Sequence, residues 1–178
     1  MPALFLDRDG TLIHDPGYLH EPDKVVLLPG VAETLRDLRA AGVRLFLFSN
    51  QSGPARGLCT FDDVLACNER MCQLIGLENP FDAVCLATEP PGTEGGYRKP
   101  SPRFILETIA AFHLDPASCF AVGDKRRDLE AGLAAGIRAV RVSADIDDPS
   151  AAAYAGEHAL PTIANFADLP SLVLHSGL

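Results

Sequence analysis

The sequence has no apolar run approaching the ~18 residues of a membrane span, no excess of basic residues and no pair of cysteines spaced as CxxC. The first absence argues against a membrane protein. Lys and Arg number 15 against 24 Asp and Glu, a formal net charge of -9, so the chain is a poor candidate for coating nucleic acid or an anionic membrane by its field alone. Cys59, Cys67, Cys72, Cys85 and Cys119 are odd in number and scattered, which suggests neither a disulfide framework nor a zinc ribbon and fits reduced thiols in a cytosol. The opening MPALFLDRDG has no basic n-region and no long apolar h-region, so a cytoplasmic location is expected. Internal repeats, low-complexity tracts and linkers are also lacking. What remains is 178 residues, 47% apolar and 22% charged, enough to bury a real core as one domain over residues 1–178, expected as a monomer.

Short apolar runs alternate with segments of helical period, the pattern of an α/β protein with a parallel sheet and crossover helices. Five strands are expected, at Ala3–Leu6, Arg44–Phe48, Ala83–Leu86, Cys119–Val122 and Ala139–Val142. Val31, Leu35 and Leu38 share one helical face that Gly42 closes. Thr60 with Asp63 resembles a capping box opening a helix to about Ile75, with Val64, Cys67, Met71 and Ile75 as its stripe. Ser101-Pro102 reads as an N-cap with proline in the first turn, before Phe104, Ile105, Ile109 and Phe112. A further helix runs from near Arg126 to Gly136. Residues 143–161 gain Ala, Asp, Pro and Gly and read as a surface excursion before a last short helix near Phe166 to Leu174.

In open α/β sheets ligands bind outside the carboxyl ends of strands, so the residues following each apolar run carry the information. The first run ends in Asp7-Arg8-Asp9-Gly10-Thr11 and the second in Ser49-Asn50-Gln51-Ser52-Gly53; the third leads to Arg98-Lys99-Pro100, and the fourth ends in Gly123-Asp124-Lys125 with Asp128 beyond. Each motif alone also fits turn or helix-end chemistry. Their order after successive strands points to one site. Four carboxylates, Asp7, Asp9, Asp124 and Asp128, would repel one another unless a cation neutralised them, and hard oxygen ligands favour Mg²⁺. Lys99 and Lys125 supply positive charge for a phosphate, and Ser49 with nearby backbone N–H groups supplies donors. A carboxylate, a metal and a lysine aimed at one anion describe phosphoryl transfer.

These residues resemble the four motifs of the haloacid dehalogenase-like phosphohydrolases. LDRDGTL, SNQSGPARG, RKP and VGDKRRDLEAG are similar to a narrower group, the D-glycero-D-manno-heptose 1,7-bisphosphate 7-phosphatases and related histidinol-phosphate phosphatases, over about residues 3–142. The resemblance implies a Rossmann-like three-layer sandwich and a Mg²⁺-dependent phosphatase of a small phosphorylated sugar. It implies that Asp7 is the nucleophile forming an aspartyl-phosphate and that Asp9 protonates the leaving alkoxide, then activates water. Mg²⁺ would be held by Asp7, the backbone carbonyl of Asp9 and Asp124, with Asp128 orienting the loop from behind. Ser49 and Lys99 would hold the transferred phosphoryl group. The rest of the substrate would meet Asn50, Gln51, Ser52, Arg56, Arg98 and Lys125, of which Arg98 and Lys125 suit a second phosphate. Gly17-Tyr18 resembles a family loop at the mouth of the site.

Only 41 residues separate Asp7 from Ser49, and about a dozen separate the third strand from Arg98. Neither interval can hold an inserted cap domain, so an open, capless site gated by short loops is expected. The chain departs from the subfamily at its zinc loop, Cys-x-His followed by Cys-x-Cys before Arg-Lys-Pro. Here Cys85, Ala87, Gly95 and Tyr97 stand at those positions, so no zinc is expected, and Pro90-Pro91 with local packing should hold residues 88–96. His14 and His20 could touch substrate; His113, His158 and His175 read as surface, and no catalytic triad can be assembled. Histidinol phosphate is the rival substrate. A receiver domain, the non-enzyme rival, keeps its acidic pair and its phosphoacceptor on different strands, whereas Asp7 and Asp9 sit together.

Overall fold

The computed structural model describes residues 2–90, 92–145 and 147–174. Five strands fall on the expected runs, most of them slightly extended: β1 (Ala3–Leu6), β2 (Arg44–Asn50), β3 (Ala83–Ala87), β4 (Cys119–Gly123) and β5 (Arg138–Val142). A sixth, β6 (Thr162–Ile163), follows the stretch expected to be a surface excursion. It is tied to β5 and its flank by Arg141 N–H to the Pro161 carbonyl and Ser143 N–H to the Ile163 carbonyl, both at 2.9 Å. Two residues carry no period, so pattern alone cannot reveal such a strand. Every pairing is parallel and the order is β3-β2-β1-β4-β5-β6.

Parallel pairing needs crossovers, which the helices supply: α1 (Val31–Ala40), α2 (Phe61–Ile75), α3 (Arg103–Phe112), α4 (Arg126–Ala134), α5 (Pro149–Glu157) and α6 (Leu169–Leu174). The Thr60–Asp63 capping box is present in both directions, and Val64, Cys67, Met71 and Ile75 are the buried stripe of α2. On α3 the cap lies one residue later than expected. Pro102 is the N-cap, and Ser101 Oγ accepts from Arg103 N–H at 3.4 Å. The reading of residues 143–161 is corrected by α5, which Asp148 caps by accepting from Ser150 and Ala151 and which buries Ala151 and Ala155. An i, i+4 pair of alanines is too weakly apolar to stand out as a stripe.

Strand alternation divides the core into two layers. Leu4, Leu6, Leu45, Leu47, Val122 and Val140 face α1, α2 and α6, while Ala3, Phe5, Phe46, Phe48, Ala121 and Ala139 face α3, α4 and α5. The second layer is aromatic at its centre: the Phe5 and Phe46 rings stack at 5.0 Å, and Phe104 meets Phe48 at 5.1 Å. Among the described residues no helix is long and apolar enough to cross a membrane. Between Asp7 and Ser49 the chain forms a short 3₁₀ turn (Pro22–Lys24) and α1, and between β3 and α3 the described residues form a loop, so neither interval holds an inserted folded unit. The strand order reverses between β1 and β4, and their carboxyl ends open the crevice where such sheets bind ligands.

The α4–β4 contact is tight. A methyl at Gly132 would lie 2.5 Å from Ala121 Cβ, which is fixed to the sheet. Gly132→Ala gains about 1 kcal/mol of helix propensity, but overpacking costs about 1–3 kcal/mol, so a net loss of stability is expected. Urea unfolding checks it; an unchanged or raised midpoint would show that the two elements can separate freely.

Candidate active site

Asp7 directly follows β1, and its N–H extends the ladder to the Val122 carbonyl at 2.9 Å, so its position is set by the sheet. Gly10 has φ +79°, and a methyl there would lie 2.4 Å from Asp124 Oδ2. Glycine is therefore required twice over, by backbone conformation and by the approach of the two strand ends. Gly123 is confined in the same way: a methyl would lie 2.4 Å from Asp128 Cβ. These two glycines bring the carboxylates together. Asp7, Asp124 and Asp128 are all buried and offer oxygens within 4.8 Å of one another.

Lys99 neutralises part of that charge. Its Nζ donates to Asp7 Oδ1 and to the Phe48 carbonyl, both at 2.6 Å, and forms an ion pair with Asp128 Oδ1 at 2.7 Å. Burial alone would lower its pKa, but Asp128 and Asp7 outweigh burial and raise it. Lys125 N–H donates to Asp128 Oδ2 at 2.9 Å, and Lys125 Nζ pairs with Asp124 at 2.8 Å. Asp124 is pushed up to about 7 by burial, with the charges of Asp7 and Asp128 adding to it. A three-carboxylate, all-oxygen cluster that holds one member near its protonation midpoint fits a hard divalent cation.

Asp9 stands apart from this cluster. Its carboxylate accepts from Arg8 Nε at 3.2 Å and Nη2 at 3.1 Å, and from Gln51 Nε2 at 2.6 Å; Ser49 Oγ is 3.5 Å away. Arg8 is fully buried, and Asp9 is its ion-pair partner among the described residues. Gln51 Nε2 also donates to Ser49 Oγ at 2.8 Å. The Asn50 amide is turned to Lys99: Nδ2 donates to its carbonyl at 3.1 Å and Oδ1 accepts its N–H at 2.9 Å.

A cavity of about 360 Å³ opens over these strand ends. Asp7 and Asp9 reach it together with Ser49 and with Asn50, Gln51, Ser52, Arg56, Arg98 and Lys125, the six residues expected to meet the rest of the substrate, whereas His14 and His20 do not line it. Lys99, expected to hold the transferred phosphoryl group, does not line it and sits behind Asp7 with Asp124 and Asp128. Gly17 and Tyr18 form part of the mouth, as expected. The sequence reading missed Arg127, Asp15 and Cys59 in the lining and the role of Arg8. Helical period fixes the Asp128 face of α4 but does not say which of Arg126 and Arg127 turns to the cavity, and an arginine between two aspartates gives no sign of burial.

His14 Nδ1 bonds Asp145 at 2.7 Å, and Asp145 also accepts Asp15 N–H at 2.8 Å, which fastens the mouth loop to the chain after β5. His20 bonds the Tyr18 carbonyl at 2.9 Å. Neither joins a metal-type cluster among the described residues. His113 and His158 are exposed; His175 lies outside the described residues. Of Cys85, Ala87, Gly95 and Tyr97, only Cys85 has a ligand atom, and burial pushes its thiol up to about 11. Glu89 accepts Tyr97 N–H at 2.8 Å, Arg103 donates to the Gly95 carbonyl at 2.5 Å, and the Arg103 guanidinium lies 4.4 Å from the Tyr97 ring. Polar bonds thus organise the loop expected to rest on Pro90-Pro91, of which Pro91 lies outside the described residues.

A Rossmann-like sheet with two aspartates at the end of β1, a lysine behind them and an acidic loop after β4 is the arrangement of a hydrolase family whose sequence pattern matches residues 15–136. The chain belongs to the haloacid dehalogenase-like hydrolases and is an enzyme. It is 35% identical over 162 residues to the D-glycero-beta-D-manno-heptose-1,7-bisphosphate 7-phosphatase of Rhodopseudomonas palustris, covering 82% of this chain and 86% of that protein. It is 36% identical over 182 residues to the protein of the same name from Yersinia pestis, covering 97% and 95%. The crystal structure of D,D-heptose 1,7-bisphosphate phosphatase from B. bronchiseptica, complexed with magnesium and phosphate, superposes with a TM-score of 0.86 at 26% identity, covering 99% of this chain and all of that one.

The paired bonds from Asn50 to the Lys99 backbone give a sharp expectation. Asn50→Leu keeps the bulk and removes both bonds, so kcat should fall roughly tenfold or more through misplacement of Lys99 while KM moves less than about threefold. Steady-state kinetics decide: a change confined to KM would make Asn50 a substrate contact instead.

Proposed function

We propose that the chain is a Mg²⁺-dependent phosphomonoesterase that removes the 7-phosphate of D-glycero-D-manno-heptose 1,7-bisphosphate through an aspartyl-phosphate on Asp7. The observation that carries this reading is the cavity itself. Its floor is the Asp7–Asp9 pair, and its wall holds Arg56 and Arg98, neither of which has a carboxylate ion-pair partner among the described residues. The acids suit a reacting phosphate, and the free guanidinium groups suit a second one. The names of the relatives agree with this substrate. Histidinol phosphate, the rival, would bring a cationic tail to these guanidinium groups, which disfavours it.

Asp7, Asp124 and the Asp9 carbonyl would hold Mg²⁺, which when bound supplies positive charge to the phosphoryl oxygens and to Asp7. Lys99 bonds Oδ1 of Asp7, and Oδ2 carries no bond to another described residue. Asp7 attacks phosphorus, the bond from phosphorus to the sugar oxygen breaks, and Asp9 delivers a proton to that oxygen. Asp9, now a carboxylate, takes a proton from water, whose oxygen attacks phosphorus and breaks the Asp7–phosphorus ester, so inorganic phosphate leaves. Ser49 and nearby backbone N–H groups hold the phosphoryl oxygens through both steps. Lys99 bears on the reaction through Asp7, whose charge it offsets.

Two measurements test this reading. In a panel of phosphate esters with released phosphate as the readout, heptose 1,7-bisphosphate should lead; a tenfold or greater preference for histidinol phosphate would reverse the assignment. Asp7→Asn should lower turnover by about a thousandfold or more, because the amide is a poor nucleophile of the same shape. The variant should fold, since the Asn amide oxygen can still accept from Lys99 and Asp128 still offsets the ammonium charge, and substantial residual activity would refute the nucleophile.

The raised Asp124 also sets a pH signature for metal binding. Its folded pKa of about 7 exceeds the ordinary 3.8, so between those values the metal-free folded state binds more protons than the unfolded state. The metal-free protein therefore loses stability progressively as pH rises from about 4 to about 7, and the loss is complete above 7. Mg²⁺ competes with that proton, so the rise in Tm on adding Mg²⁺ should be larger at pH 8 than at pH 5.5. Thermal scans in Mg²⁺ and in chelator check this, and equal shifts would count against Asp124 as a ligand.

A further inference from the structure

Most arginines of this chain that lie near acids are paired with them. Arg103 meets Glu107 at 2.8 Å, Arg39 meets Asp82 at 2.7 Å, and Arg126, in the first turn of α4, meets Glu130 at 2.6 Å and lies 4.9 Å from the Tyr154 ring. Its neighbour Arg127 differs. It lines the cavity beside Arg56 and Arg98, has no carboxylate ion-pair partner among the described residues, and its Nε is buried without a hydrogen-bond partner. Arg98 Nη1 is in the same state, and burial, followed by the charges of Arg127 and Arg56, lowers the Arg98 pKa. Asp15, an acid at the cavity rim, accepts Gly17 N–H at 2.9 Å and forms no ion pair with any of the three. The placement of Arg127 is also unfavourable for the helix, whose N-terminal turn prefers negative charge. The charge of Arg127 favours the neighbouring Asp128 carboxylate, but the side chain forms no ion pair with it, so its guanidinium donors are left for an anionic group in the cavity.

We propose that Arg127 determines substrate specificity: with Arg56 and Arg98 it completes a three-guanidinium receptor for a second dianionic group on the substrate and repels esters with a cationic tail. The proposal rests on the bisphosphate reading above and adds to it the residue that selects the tail. A guanidinium matches phosphate oxygens in paired hydrogen bonds, so three around one cavity end suit a phosphate better than a hydroxyl. The contribution is to binding of the unreactive end, so it should appear in KM.

The test measures kcat and KM of the full chain on heptose 1,7-bisphosphate, heptose 7-phosphate and histidinol phosphate. Arg127→Ala should lower the ratio of kcat/KM for bisphosphate over monophosphate by about tenfold or more, mainly through KM for the bisphosphate, and Arg127→Lys should restore much of it. Arg127→Glu should lower that ratio further and raise kcat/KM for histidinol phosphate about tenfold, since the repulsion becomes an attraction. Arg126→Ala, on the same helical turn, should leave the ratio in place. If the wild type prefers the bisphosphate and Arg127→Ala keeps that preference, this proposal fails and the substrate reading stands. If the wild type shows no preference, both fail. Equal losses on all three esters, or an Arg126→Ala effect as large, would make Arg127 a structural residue and overturn the proposal.

Discussion

The site depends on one buried ammonium. Lys99 Nζ lies between Asp7 and Asp128 at 2.6 and 2.7 Å, and the Phe48 carbonyl accepts a hydrogen bond from it at 2.6 Å. Removing such a charge from water costs several kcal/mol, an expense offset only when every donor finds an acceptor with good geometry. Here two donors are hydrogen-bonded, to Asp7 and the Phe48 carbonyl, and the Asp128 carboxylate at 2.7 Å offsets the charge directly. The contacts join the ends of β1 and β2 to the first turn of α4, so one side chain ties together three elements distant in sequence. Breaking a buried pair from one side typically costs about 3–5 kcal/mol, which makes Lys99 a structural keystone as well as an electrostatic one. Asn50 completes the arrangement by fixing the Lys99 backbone through both its N–H and its carbonyl.

The aspartates were legible in the sequence because a parallel sheet exposes its carboxyl strand ends, and Asp7, Ser49 and Asp124 each follow an uninterrupted apolar run. What the run pattern could not reveal is direction within a motif. Asn50 and Gln51 read equally as substrate contacts, yet the one clamps Lys99 and the other holds Asp9, because adjacent residues at a strand end point opposite ways. Arg8 was invisible for a related reason. Alternation sends it away from the two acids it separates, and only the packed structure shows that its guanidinium turns back beneath Asp9. β6 and α5 escaped notice because a two-residue strand has no period and an alanine pair has almost no stripe.

Net charge was the least informative quantity. At -9 the chain should repel a doubly phosphorylated sugar at long range, and its acids should compete for every arginine. The structure resolves the conflict by segregation. Arg103, Arg126 and Arg39 are matched with Glu107, Glu130 and Asp82, whereas Arg56, Arg98 and Arg127 in the cavity have no carboxylate ion-pair partner among the described residues. Asp124 and Lys125 mark the boundary, since their 2.8 Å pairing draws Lys125 toward the acidic cluster and leaves the far wall to arginine.

An open crevice also changes what must hold Asp9, the proposed acid–base group. With no inserted unit between Asp7 and Ser49 or between β3 and α3, closure of a large domain cannot bring Asp9 into position. Its orientation has to exist beforehand, and three contacts fix it: Arg8 on both carboxylate oxygens, Gln51 at 2.6 Å, and Ser49 held in turn by Gln51 at 2.8 Å. Arg8 and Gln51 are buried, so water does not loosen this frame as it would an exposed pair. Preorganised dipoles and charges cost nothing further at the moment of reaction. A capless enzyme therefore places in the interior beneath its proposed acid the rigidity that a capped one can obtain by closing over it, and the fully buried Arg8 between Asp7 and Asp9 is the physical form that solution takes here.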